Sequence, residues 1–114
     1  MSSYYDLEQI LRLQGVMGSD VAAIVTPLLA SMAEAVDEVQ AATAAGDLDR
    51  VTRAAHRCRN DAMVLGAHQL LRALTSLEDA GRDYDEARVT EALARVREIW
   101  PPTRDELASL ANPP

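Results

Sequence analysis

The sequence predicts an all-α protein: an antiparallel up-down four-helix bundle with a short N-terminal helix laid over it as a lid. Three observations lead there. Alanine, leucine and valine dominate, while glycine and proline number only five each, so helix breakers are few. Those breakers cluster near residues 15–18, 46, 66, 81–84 and 101–102, and the intervals between them are of helix length. Within each interval apolar residues recur every three or four positions. At 114 residues, 48% hydrophobic and 25% charged, the chain reads as one globular domain, 1–114, with no room for a second core.

The first helix is expected over about residues 5–14, carrying Leu7, Ile10, Leu11 and Leu13 and ended by Gly15. Ser19 or Asp20 caps the second, whose apolar positions Leu28, Leu29, Met32, Val36 and Val39 run toward Gly46. Pro27 lies inside that stretch and implies either a kinked helix or a step, with Thr26 capping a fresh start. Asp47 caps the third helix. Its seam of Leu48, Val51, Ala55, Cys58, Ala62 and Leu65 alternates spacings of three and four. The fourth, about residues 67–80, carries Leu70, Leu71, Leu74 and Leu77. Asp83 or Asp85 caps the fifth, with Val89, Leu93, Val96 and Trp100 inward. Pro101 and Pro102 are expected to stop it, leaving 101–114 as a tail or a short helix opened by the capping box Thr103–Glu106.

Several function classes drop out on composition. A formal charge of −7 argues against nucleic acid or anionic lipid as partner. No apolar run reaches the roughly 18–20 residues of a membrane span, and the N-terminus lacks the basic start of a signal peptide, so a cytoplasmic protein is expected. The single cysteine, Cys58, falls on the third helix's seam and reads as a small core residue rather than a reactive thiol. His56 and His68, twelve residues apart with a glycine between, do not match helical metal-ligand spacing. His68, in the first turn of the fourth helix, is expected to be exposed and incidental.

The charge is unevenly spread. Residues 1–49 hold eight acids and only Arg12, after which Arg50, Arg53, Arg57 and Arg59 fall within ten residues. At about 100° per residue, His56 lies roughly 140° from the centre of the third helix's apolar arc. Thr52, Arg53, Arg59, Asn60 and Met63 share its side. That face is either an accessible imidazole ringed by guanidinium groups, fit to receive an anion such as phosphoryl, or a solvated surface that includes a histidine.

Residues 56–66 read His-Arg-Cys-Arg-Asn-Asp-Ala-Met-Val-Leu-Gly. Here the chain resembles the histidine-containing phosphotransfer (HPt) domain family, whose motif is a histidine, a basic residue three later, glycines at plus four and plus ten, and a carboxylate or amide at plus twenty-two. His56, Arg59, Gly66 and Glu78 match four of these positions. The Ala-Ala lead-in to His56, the Leu-Gly-Ala turn and the order of helices extend the likeness over nearly the whole chain. Two positions depart from the pattern: Asn60 stands where the family has the plus-four glycine, and Cys58 where it has leucine.

The resemblance implies a phosphocarrier in a two-component phosphorelay rather than a self-sufficient enzyme. His56 Nε2 would take a phosphoryl group from a receiver domain's aspartate and pass it to that of a second receiver, in a response regulator or a hybrid histidine kinase. Glu78 would accept the Nδ1 proton and orient the ring, its alternative being a solvated helix-end carboxylate. Arg59, with Arg53 and Arg57, would supply positive charge toward phosphoryl and receiver. Asn60 would either crowd the incoming receiver or hydrogen-bond to the phosphoryl, and Met63 and Gly66 complete the expected binding face. The protein would be a monomer without cofactor, magnesium coming with the receiver. Two rivals remain at this level: a degenerate bundle that binds a receiver or kinase without carrying phosphate, and an unrelated helical interaction module.

Overall fold

The computed structural model describes residues 2–18 and 20–113, and all of its regular structure is helical. Five helices follow in order: α1 Leu7–Met17, α2 Val21–Ala44, α3 Leu48–Val64, α4 His68–Arg82 and α5 Glu86–Ala111. α3 packs on α2 and α4, and α5 closes the ring by packing on α4 and α2. The bundle measures 41 × 22 × 19 Å.

Side-chain caps start four of the five helices. Asp6, Asp20, Asp47 and Asp85 each accept a hydrogen bond from the backbone N–H three residues on, satisfying a donor that the first turn leaves unpaired. Asp20 is thus the cap of α2, and Ser19, the other candidate, lies outside the described residues. The seam of α3 is buried as its spacing requires: Val51, Ala55, Cys58, Ala62 and Leu65 are fully covered, facing Met32, Val36, Val39, Leu70, Leu74 and Leu77.

Three turns join the bundle helices, and all three use one device. The central residue of each takes a left-handed conformation: Gly46 at φ 68°, Gly66 at 63° and Tyr84 at 53°. The following N–H then reaches back to a carbonyl five residues earlier, Asp47 to Ala42, Ala67 to Ala62 and Asp85 to Ala80, closing the helix end. Tyr84 bears this conformation without being glycine, and its hydroxyl donates to Asp49 Oδ1 at 2.8 Å.

At Pro27 the single-helix alternative holds, whereas Pro101 and Pro102 behave otherwise than expected. α2 runs unbroken through Pro27 from Asp20, so no fresh start forms at Thr26. α5 likewise continues through Pro101 and Pro102 to Ala111, and neither a tail nor a separate short helix exists. The reason is packing. Thr103, Leu107 and Ala111 extend the buried stripe of Val96, Ile99 and Trp100, so the core holds the turns that the prolines weaken. Thr103 is therefore no capping residue. It is fully buried, and its hydroxyl donates to the Ile99 carbonyl at 2.7 Å. Gly15 also fails to end α1, which continues to Met17 and is capped by Gly18 at φ 69°.

α1 and the residues before it lie over the α3–α4 turn. The Asp6 N–H donates to the Leu65 carbonyl, Gln9 Nε2 donates to the Met63 and Val64 carbonyls at 2.6 and 2.9 Å, and Gln69 Nε2 donates to that of Ser3. Gly66 makes this approach possible, because a Cβ there would lie 2.5 Å from Asp6 Cβ and 3.0 Å from Gln9 Oε1. Gly46 has the same backbone conformation but open space around it. Gly46→Ala should therefore cost only the left-handed penalty, about 1 kcal/mol, and Gly66→Ala at least about 1 kcal/mol more. Urea denaturation of both variants checks this, and equal losses would show that the lid's close approach holds nothing.

Candidate functional site

α3 and α4 form an antiparallel hairpin about Gly66, which dictates what faces His56. His56 lies ten residues before that glycine, about 15 Å along α3, and Glu78 lies twelve after it, about 18 Å along α4. The two side chains meet at that level. His56 Nδ1 stands 2.8 Å from Glu78 Oε2. A carboxylate can only accept, so Nδ1 donates to it, and in the neutral ring Nε2 keeps its lone pair. The imidazole is half exposed, at 51%, whereas the Glu78 side chain is 5% exposed.

A carboxylate so deeply placed requires compensation, and two guanidinium groups supply it. Arg82, one helical turn beyond Glu78, donates from Nη2 to Oε2 at 2.8 Å. Arg59 brings its Nε to 2.9 Å from Oε1. That N–H is not aimed at the oxygen and has no directed partner, so the contact is Coulombic rather than a hydrogen bond. Gly81 sets the helix spacing at this level: a Cβ there would meet Thr52 Oγ1 at 2.5 Å, one turn before His56.

His56, Glu78 and Arg59 are thus brought together, with Arg59 on the carboxylate rather than on the phosphoryl side that the resemblance implied for it. Asn60 and Met63 lie exposed on the same face of α3, with Met63 49% accessible. Arg53 and Arg57 are exposed but turn toward α2, lining a groove with Glu34, Glu38 and Arg50. Arg50 is tied to Glu38 at 2.7 Å, and neither Arg53 nor Arg57 forms an ion pair among the described residues. Gly66 is not part of an exposed binding face. It is buried in the turn beneath Asp6 and Gln9, where its lack of a side chain serves packing. His68 is exposed and stands 3.9 Å from Asp6.

Two residues at the site escaped the sequence reading. Arg82 could have been found from its i,i+4 relation to Glu78, while Gly81 carries no signal before the helix pairing is known. Among the described residues, no three His, Cys, Asp or Glu side chains gather as a metal site, and no single helix is long and apolar enough to cross a membrane. A groove between α4 and α5 is lined by Ser76, Asp79, Arg88 and Glu91 among others and does not include His56.

The Hpt domain matches residues 23–111, a span that contains His56, Glu78 and both arginines. The chain belongs to the Hpt domain family. It is a histidine phosphotransfer protein of the phosphorelay type, a class of domain that interacts with receiver domains and histidine kinases. Among solved structures, histidine-containing phosphotransfer protein B from Pseudomonas aeruginosa PAO1 superposes with a TM-score of 0.89 at 19% identity, covering 97% of this chain and 96% of that one. A rice protein assigned as a histidine-containing phosphotransfer protein gives 0.80 at 18% identity, covering 96% and 80%. At such identities these likenesses speak to the fold. No curated protein sequence matches the chain.

In this Hpt domain Cys58 is closed to chemistry. Burial, with Asp61 nearby, pushes its thiol up to about 12, so the thiolate that would react is absent at ordinary pH. A thiol reagent at pH 8 should therefore label native protein only as fast as the bundle opens, and unfolded protein at once. Rapid labelling of the native state would contradict the burial.

Proposed function

We propose that His56 is the phosphoacceptor, taking phosphoryl from an aspartyl phosphate on one receiver domain and returning it to the aspartate of another. The observation that carries this reading is the pairing of a half-exposed imidazole with a buried carboxylate on its inner nitrogen. A buried carboxylate is expensive to hold beside a ring that does nothing, and a bundle that only bound a receiver would have no use for it.

The step follows from that geometry. The Nε2 lone pair attacks phosphorus, and a nitrogen–phosphorus bond forms as the acyl-phosphate P–O bond breaks. The electron pair leaves with the receiver's carboxylate. Nδ1 keeps its proton throughout, and the Glu78 charge offsets the positive charge that grows on the ring. Return to a second aspartate is the same step reversed. Catalysis is positioning and charge neutralisation, with magnesium belonging to the receiver's acidic pocket.

From the groove beside α2, Arg53 and Arg57 add long-range positive charge that attracts an acidic receiver, while Met63 offers an apolar contact and Asn60 a polar group one turn from His56. Arg59, drawn to Glu78, acts on the carboxylate first. The protein works as a monomer in the cytoplasm, with response regulators or hybrid histidine kinases supplying the receivers. Incubation with a phosphorylated receiver should place acid-labile phosphate on wild type and on His68→Gln, and none on His56→Gln, with helical content unchanged in both. Label retained by His56→Gln would overturn the assignment.

A further inference from the structure

One face of α5 carries a charge pattern that the histidine site leaves unused. Arg88, Glu91, Arg95 and Glu98 follow one another at spacings of three, four and three, so they form a single stripe along the helix. That stripe borders the groove between α4 and α5, which His56 does not line. Its signs alternate, and they do so symmetrically. Arg88 and Glu98 stand five residues either side of Leu93, and Glu91 and Arg95 two residues either side. We propose that this face is self-complementary and pairs with α5 of a second copy of the chain, antiparallel, about a two-fold axis at the level of Leu93. Arg88 of each copy then meets Glu98 of the other, and Glu91 meets Arg95. A parallel, in-register pairing would set like charge on like.

An alternating stripe is also what a merely solvated helix face shows, and two further features set this one apart. The first is the floor of the groove. Ala73 and Ala92 are buried there, Ser76 lies beside them, and Ala94 is exposed next to the proposed axis. Side chains this small let a facing helix come within about 8–10 Å, the ordinary distance between packed helices. The second is that pairs within one copy do not use up the stripe. Arg88 is held by Asp83 and Arg95 by Glu98, through side chains about half or more exposed, so both contacts are weak and exchangeable. Glu91 forms no ion pair among the described residues, although arginines stand three before it and four after it. Asp79, the remaining acid in the groove, is 3.4 Å from Arg82. The formal charge of −7 on each copy opposes association, but salt at about 0.15 M screens it beyond about 8 Å and spares pairs in contact. Pairing along one helix is a small, reversible interface that forms at high concentration. Phosphotransfer needs a single copy, so the pair is a state added to a protein that works singly.

Sedimentation equilibrium of the full chain in about 0.15 M salt, at concentrations up to about 1 mM, tests this. Wild type should show a monomer–dimer equilibrium. Glu91→Arg sets two like-charge contacts across the axis and should weaken it by about tenfold or more, even though it reduces the net charge that keeps copies apart. Combining Glu91→Arg with Arg95→Glu exchanges the signs and should restore most of the affinity. Asp37→Arg, the same change of charge at an exposed α2 position outside the groove, should not weaken pairing. Circular dichroism checks that each variant remains helical. A wild type still monomeric at the highest concentration overturns the proposal, as does a dimer indifferent to Glu91→Arg. So does a double variant that recovers nothing, or an equal loss with Asp37→Arg. The measurement uses unphosphorylated protein and no receiver, so its result stands apart from the assignment of His56.

Discussion

A single buried carboxylate, Glu78, governs how this bundle is built around its histidine. An unpaired carboxylate out of contact with water would be strongly destabilising, so its position is tenable only while His56, Arg59 and Arg82 converge on it. Convergence needs α3 and α4 close together and in one register. Gly81 permits the closeness against Thr52, and the Gly66 turn sets the register. The hydrogen bond that gives the imidazole its tautomer is therefore a consequence of helix packing as much as of the residues that make it.

The same turn ties the N-terminal segment to the site. The lid is fastened to the carbonyls of Met63 and Val64, which end the helix that carries His56, and of Leu65, its C-cap. The Met63 carbonyl also accepts the Gly66 N–H in the turn, whereas those of Val64 and Leu65 are reached by Gln9 and Asp6. The lid thereby holds the end of α3 at which Met63 is presented, on the face that a partner would meet.

Much of this was legible in the residues. The three-four spacing of α3 put Cys58 inside and His56 outside because a packed helix has one buried arc, and burial followed that arc. Asp47 announced its cap, and Asp85 was one of two candidates for that of α5, because a short side-chain acceptor before an apolar repeat has few other uses. Pro101 and Pro102 misled, since local propensity is a weak term beside burial: Leu107 and Ala111 anchor what these prolines loosen. For the same reason Thr103 and Glu106 spell a capping box that does not form. At the site, the match to a family motif found His56, Arg59 and Glu78 but gave Gly66 a place on the binding face. Its value as a residue without a Cβ became visible only when Asp6 was seen against it. Arg82 lay outside the motif, and its role depends on Glu78 facing inward, which no spacing rule alone determines.

The account's central claim is that the inner ring nitrogen is occupied by Glu78 and the outer one does the chemistry. Nitrogen-15 and phosphorus-31 NMR of the phosphorylated protein, labelled in its histidines, tests it most directly. The account predicts one phosphoryl group, coupled to Nε2 of His56, with Nδ1 still bearing its proton. Phosphorus bonded to Nδ1, or to His68, would contradict it.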